Sequence, residues 1–369
     1  MYDLIASPFL QDHLICRPGS AKGLKVPARL YEELRQAGQA PVPEWLREAA
    51  WEQWGTDLAT RPVEEAVLVR QPSAYGYCRA SYELNLGCNY DCEHCYLGLK
   101  KFSGLKWPQR MLLLRNMQQA GVLWLQLTGG EPLIDRLFKE TYEYAFRLGM
   151  MLSISSNGSR LHDPRILDLL RNRRPYRLTL SVYGASPEKY DAVTKRRGSF
   201  RLFERGLTAA QGAGLPISLN LIVTESNADE TEAMKVFARD RGLPHNVFTN
   251  MAPTIYGGVE TVLTQSEEHL RTRKPFSGCN AGHTFFHADP HGLVSICKVG
   301  RDQQFSLVEH GTTGLRKLGG IADSLQLRTG GCSGCLFGQN GTCGTCRPLA
   351  KLYQESGAPL RNYCRHGGF

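Results

Sequence analysis

A chain of 369 residues can bury one large domain or two to three smaller ones, and 42% hydrophobic with 21% charged residues is ordinary for a soluble globular protein. No apolar run is long enough to span a bilayer, and Met1-Tyr2-Asp3-Leu4 lacks the basic-then-apolar pattern of a secretion signal, so neither a membrane span nor export is expected. The formal net charge of +9 admits an acidic peptide partner or a solvated basic face; the longest basic block is only Lys195-Arg196-Arg197, which argues against a nucleic-acid surface.

Residues 1–75 read as a small α+β unit. His13 to Gly19 forms a short strand ending in a turn. Pro27 opens a helix through Tyr31, Leu34 and Arg35. Pro43 opens a second, with Trp45, Leu46, Ala49, Ala50 and Trp54 on its apolar side and Gly55 as its stop. Ala66 to Arg70 is a strand, and strands flanking two helices at this size suit a winged-helix fold.

From residue 76 to about 265, strand and helix alternate. Strands are expected at 81–86, 122–127, 151–155, 177–182 and 217–223. Helices are expected at 107–120, 138–148, 166–171, 200–213 and 230–241. That order implies a parallel α/β architecture whose right-handed crossovers curl it into a partial (β/α)6 barrel. Functional residues should then sit at the C-terminal ends of the strands.

The first strand of this unit delivers Cys88-Asn89-Tyr90-Asp91-Cys92-Glu93-His94-Cys95, a C-x3-C-x2-C run. A closed zinc site wants four ligands, and this group offers three thiolates. From spacing alone, a zinc fragment with a distant fourth ligand and an iron–sulfur cluster with one open iron both stand. The twelve cysteines are clustered: three lie in this run, seven lie between Cys279 and Cys364, and only Cys16 and Cys78 stand apart as ordinary buried thiols. Such clusters in a chain without a secretion signal read as metal ligands in a reducing compartment, hence the cytoplasm.

Later strand ends carry Thr128-Gly129-Gly130-Glu131-Pro132, then Ser155-Ser156-Asn157-Gly158, then Ser181-Val182-Tyr183-Gly184. Glycine lets a backbone approach a ligand closely, and Glu131 with nearby carbonyls can accept hydrogen bonds from an ammonium. Taken in order, the cysteine run and these strand ends resemble the radical S-adenosylmethionine (SAM) superfamily, with His94 in the place of the usual aromatic residue before the third cysteine. The resemblance implies that Cys88, Cys92 and Cys95 hold a [4Fe–4S] cluster whose open iron chelates SAM. Reductive cleavage of SAM would then give a 5′-deoxyadenosyl radical. It also implies SAM contacts from Gly129, Gly130, Glu131, Ser155, Asn157 and Ser181, a carboxylate contact from Arg197, and an adenine wall near Asn220 and Val223.

The third unit, 266–369, carries Cys279, Cys297, Cys332, Cys335, Cys343, Cys346 and Cys364. By spacing, Thr284 to His287 and Leu293 to Ile296 form a hairpin that brings Cys279 and Cys297 together. Two C-x2-C pairs alone would also make a zinc ribbon of Cys332, Cys335, Cys343 and Cys346. Downstream of the first run, the set resembles the SPASM extension of radical SAM proteins, which binds two auxiliary [4Fe–4S] clusters. Its second half departs from the family's C-x2-C-x5-C-x3-C, reading C-x2-C-x7-C-x2-C. Carried over, a distal cluster uses Cys332, Cys335, Cys343 and Cys364, and a proximal one uses Cys279, Cys297 and Cys346, with Cys343 and Cys346 open to exchange. Tyr90, Glu93, Tyr183, His283, His287, Asp289 and His291 are further pocket candidates, each equally readable as structural.

Members with this extension mostly modify peptides. Residues 1–75 would then resemble a peptide recognition element, although a segment that merely covers the next domain reads equally well. The expected activity is that of a radical SAM oxidoreductase maturing a ribosomally made precursor peptide, with an intramolecular C–C, C–O or thioether crosslink preferred. Maturation of a folded protein, of the formylglycine or quinone-cofactor type, is the enzyme alternative. RNA modification and a non-enzymatic metal-stabilised binding module are the others. A flavodoxin- or ferredoxin-type protein would supply electrons.

Overall fold

The computed structural model describes residues 2–98, 101–249, 251–252, 279–324, 334–340, 343 and 345–364. Cys332 and the expected boundary at residue 266 lie outside them.

The N-terminal unit is a four-stranded sheet backed by helices. Its strands are β1 (Leu4–Phe9), β2 (Asp12–Cys16), β3 (Gly23–Val26) and β4 (Val67–Val69), in the order β3-β2-β1-β4. The first three pair antiparallel and β4 joins β1 in parallel. Helices α1 (Ala28–Ala37), α2 (Glu44–Trp54) and α3 (Val63–Ala66) each follow a capping proline, Pro27, Pro43 and Pro62, as φ near −65° and a missing N–H suit a helix entrance. Strand alternation splits the sheet. Leu4, Ala6, Ile15 and Val67 pack on Tyr31, Leu34, Leu46 and Ala50 of the helices, while Ile5, Cys16 and Leu68 face the other way, onto Leu123, Met151 and Trp124.

Of these, Trp124 and Met151 begin strands of a second, nine-stranded sheet. It contains β5 (Arg79–Glu83), β6 (Trp124–Thr128), β7 (Met151–Ser156), β8 (Arg177–Val182), β9 (Ile217–Ile222) and β10 (His245–Phe248), each parallel to the next. Helices α4 (Trp107–Gln119), α5 (Phe138–Arg147), α6 (Pro164–Asn172), α7 (Pro187–Thr194), α8 (Ser199–Gly212) and α9 (Thr231–Asp240) fill the crossovers. This is the expected α/β alternation, with α7 and β10 added to the elements read from sequence. On β8, Leu178, Leu180 and Val182 are buried under the helices while Thr179 and Ser181 take the opposite face. The same alternation sets Leu125 and Leu127 against Gln126 and Thr128, and Leu219 and Leu221 against Asn220. The inner face is therefore polar toward its C-terminal end, which leaves a cleft where a closed barrel would have packed side chains.

The C-terminal region enlarges this sheet. β11 (Phe285–Ala288) pairs parallel with β5, and β12 (Leu293–Ser295) and β13 (Phe305–Ser306) follow antiparallel, giving the order β10-β9-β8-β7-β6-β5-β11-β12-β13. The hairpin expected between Cys279 and Cys297 thus forms on the free edge of the strand that leads to the first cysteine run. Among the described residues no helix is long and apolar enough to cross a membrane.

Candidate active site

The cleft encloses about 430 Å³ at the C-terminal ends of β5 to β9. Cys88, Cys92 and Cys95 line it together with Gly129, Gly130, Ser155, Asn157 and Ser181. Among the described residues no three His, Cys, Asp or Glu side chains converge as a single metal ion would require. The three thiols instead line one cleft, a donor set suited to a polynuclear cluster, and the polar strand ends that line the same cleft are suited to a small molecule beside it.

The cysteine loop is held on several sides. Asp91 and Glu93 donate their N–H groups to the carbonyls of Thr194 and Val193 at the end of α7 (3.0 and 3.1 Å). The Glu93 carboxylate accepts from Thr224 Oγ1 (2.9 Å) and Ser226 Oγ (3.0 Å) beyond β9. Asn157 Nδ2 donates to Asn89 Oδ1 at 2.8 Å. Tyr90 is buried, with its hydroxyl donating to the Ser199 carbonyl (3.3 Å). Of the basic pair, Arg196 reaches this loop, donating to the Asn89 carbonyl and lying over the Tyr90 ring. Arg197 is exposed and does not line the cleft.

Gly129 and Gly130 touch the base of the loop. Gly129 has φ 133°, and a β-carbon there would lie 2.4 Å from the Asn85 carbonyl oxygen. One at residue 130 would lie 2.1 Å from that of Gly87. Glycine is therefore required for β6 to pass its neighbour, before any ligand is considered. Glu131 does not line the cleft. It is 1% exposed, and its carboxylate accepts from Leu133 N–H (3.0 Å), Ser156 Oγ (2.8 Å) and Asn157 N–H (2.7 Å). Burial pushes its pKa up to about 7 against the pull of those three donors. Asn220 lines the cleft, and Val223 is fully buried.

A polar group that sequence did not single out sits beside the cleft. Glu83, wholly buried at the end of β5, accepts from Arg301 (2.8 Å) and the Tyr96 hydroxyl (2.9 Å). Its other oxygen lies 3.5 Å from His287 Nε2, and His287 Nδ1 bonds Ser81 Oγ at 2.8 Å. Burial opposes ionisation of Glu83, yet the contact with His287 and the Arg301 and Lys298 charges outweigh it and hold the carboxyl below the usual carboxylate range. Burial in turn keeps His287 low, at about 4, so at neutral pH the imidazole is uncharged and the two cations keep Glu83 ionised. Lys298 extends from the residue after Cys297 into the cleft and donates to Thr128 Oγ1 at 3.1 Å. Its place after a spaced cysteine was the only sequence signal. The other candidates do local work: His283 pairs with Asp323 on the surface, Asp289 accepts from the His291 and Leu293 N–H groups of the β11–β12 turn, and Tyr183 lines the cleft beside His94.

In the C-terminal region Cys279, Cys297 and Cys346 lie within charge-interaction range. Burial pushes Cys297 up to about 11, and the Cys346 and Cys279 thiols push the same way. Burial also raises Cys346, with Cys279 adding to it. Thr345 donates to the Tyr363 carbonyl (3.3 Å), tying the loop of Cys343 and Cys346 to the segment that carries Cys364.

Residues 82–238 match the family model of the Radical SAM superfamily. The chain is 28% identical over 173 residues to the AdoMet-dependent heme synthase of Methanosarcina barkeri, covering 46% of this chain and 49% of that protein. It is 25% identical over 225 residues to the sporulation killing factor maturation protein SkfB of Bacillus subtilis, covering 57% and 51%. The chain thus spans about half the length of these curated relatives. The fold is similar to that of Streptococcus suis SuiB bound to its precursor peptide SuiA, with a TM-score of 0.60 and 13% identity over 98% of this chain and 95% of that one.

Proposed function

We propose that this chain, which carries a radical SAM domain, is a peptide maturase that takes hydrogen from a residue of a ribosomally made precursor and forms an intramolecular crosslink. The observation that carries the reading is the meeting of Cys88, Cys92 and Cys95 with Gly129, Gly130 and the polar ends of β7 and β8 on one cleft. In this reading the three thiolates hold the cluster that binds SAM. When bound, that pair supplies a primary carbon radical able to attack an unactivated C–H bond. The protein's part is to orient the reacting carbon and keep water out. Gly129 and Gly130 leave their carbonyls to the methionyl end, Ser155, Asn157 and Ser181 offer hydrogen bonds to the remainder, and Glu131 braces the wall behind them.

Residues 76–265 are the catalytic unit in this proposal, and 266–369 a SPASM domain with two auxiliary clusters. The mutual influence of Cys279, Cys297 and Cys346 supports placing them on one cluster. Cys332, Cys335, Cys343 and Cys364 are assigned to the other. Residues 1–75 are read as the part that grips the precursor. The maturation role in the name of SkfB and the peptide bound to SuiB support a peptide substrate. A flavodoxin or ferredoxin of the cytoplasm is the proposed reductant. The test is anaerobic reconstitution with iron and sulfide, followed by reductant and SAM. Formation of 5′-deoxyadenosine is expected, and a protein of full iron content that forms none refutes the enzyme reading. Removing residues 1–75 should weaken binding of the cognate precursor while cleavage of SAM alone persists; undiminished peptide binding would refute the gripping role.

A further inference from the structure

The expected cation for a ligand carboxylate, Arg197, is exposed and does not line the cleft. Among the described residues that line it, Lys298 is the only lysine or arginine. Its ammonium has three hydrogens to donate, and among the described residues it makes one hydrogen bond, to Thr128 Oγ1 at 3.1 Å. The nearby carboxylate does not claim it, because Glu83 is already engaged by Arg301 at 2.8 Å and Tyr96 at 2.9 Å. Two cations therefore stand beside one carboxylate, and the excess positive charge is the one at the cleft surface. A cation drawn out of water with only a shared counter-charge, acting on it through space, is costly, so this position favours an anion from whatever fills the cleft. The position is also specific: Thr128 directly precedes the two glycines, so the ammonium sits next to the proposed amino-acid end of SAM.

We propose that Lys298 is the carboxylate-binding residue of the cleft. The carboxylate comes either from the methionyl end of SAM or from an acidic group of the peptide, and the proposal rests on the reading of the cleft given above. A lysine here would act as a binding and positioning group, fixing which end of the ligand faces the cysteine loop.

Wild-type, Lys298→Met and Lys298→Arg proteins are reconstituted anaerobically and studied without reductant. Equilibrium dialysis measures SAM, its decarboxylated analogue, and N-acetylglutamate amide in the presence of SAM. If SAM supplies the carboxylate, Lys298→Met binds SAM about tenfold or more weakly, as loss of a charge-assisted hydrogen bond implies. It then binds decarboxylated SAM as the wild type does, and Lys298→Arg recovers most of the loss. If the peptide supplies it, SAM affinity is unchanged and N-acetylglutamate amide shows that loss and recovery. Iron per chain and melting temperature stay at wild-type values in both variants. The assignment is overturned if neither carboxylate probe changes by more than about twofold, or if Lys298→Met loses iron, which would make the ammonium a support for a metal centre. A wild-type protein that binds no SAM overturns the reading of the cleft as well; one that binds SAM with Lys298 irrelevant overturns this assignment alone.

Discussion

Glu131→Gln separates a bracing carboxylate from one that binds ligand. In the structure Oε1 accepts from Leu133 N–H and Ser156 Oγ, and Oε2 accepts from Asn157 N–H. Either orientation of a glutamine amide sets its nitrogen against one of the two backbone N–H groups. One buried donor is lost, which costs about 2 kcal/mol and lowers the melting temperature by roughly 4–8 °C. The pH dependence has a definite sign. Burial raises the folded-state pKa to about 7, above the unfolded carboxylate value, so folding favours the protonated form. That contribution is complete below about pH 4.5 and is lost as the pH rises through 7, amounting to about 3 kcal/mol. The stability gap between wild type and Glu131→Gln should therefore be widest near pH 5 and narrow toward pH 8. Thermal melts of both proteins across this range, without SAM, are the assay. A gap that widens with pH, or two equally stable proteins of which only the variant fails to bind SAM, would refute the bracing role and make Glu131 a direct ligand.

Replacing Cys88, Cys92 and Cys95 together by alanine should abolish formation of 5′-deoxyadenosine while leaving iron on the C-terminal cysteines; retained cleavage would remove the central assignment. Arg70, one residue beyond β4, is buried and donates to the Gly149 (3.2 Å) and Gln118 (3.4 Å) carbonyls. Arg70→Met should cost about 2–4 kcal/mol and expose the segment near residues 71–76 to protease, read by gel after limited digestion. Glu93→Ala frees the cysteine loop from Thr224 and Ser226, and cluster loss to a chelator should become severalfold faster than in wild type.

The sequence carried those features that local periodicity encodes. The 177–182 strand was read to its observed ends, because Leu178, Leu180 and Val182 alternate with polar residues without interruption. The helices after Pro27 and Pro43 were legible from their prolines. Pairing between distant segments was not. Nothing in Phe285–Ala288 announces that it joins β5, since both edges of a short apolar strand look alike until a partner is present. Side-chain direction was equally hidden: Arg196 and Arg197 are adjacent in sequence, yet only the first meets the cysteine loop. The cleft's glycines were legible as a motif, but the reason for them, contact with the Asn85 and Gly87 carbonyls, needs three dimensions.

The placement of the N-terminal unit sets a length requirement on any peptide it grips. Ile5 and Cys16 pack on Leu123 and Met151, at the N-terminal ends of β6 and β7, while Ser155 and Asn157 line the cleft at the other end. From Met151 to Ser156 the strand rises about 17 Å at 3.3 Å per residue. A peptide cannot follow that path through the packed sheet. It must pass outside the helices, a layer about 10 Å thick that is crossed once outward and once inward. The route is then about 37 Å, which an extended chain covers with about eleven residues. A precursor in which about ten or more residues separate the gripped segment from the modified one should be processed; shortening that spacer to about five should abolish modification while leaving binding to the enzyme intact. Mass spectrometry of a spacer-deletion series, with affinity measured in parallel, reads both quantities. Full modification at a five-residue spacer would show that the peptide is gripped elsewhere, and residues 1–75 would be left as a cover over the N-terminal ends of β6 and β7.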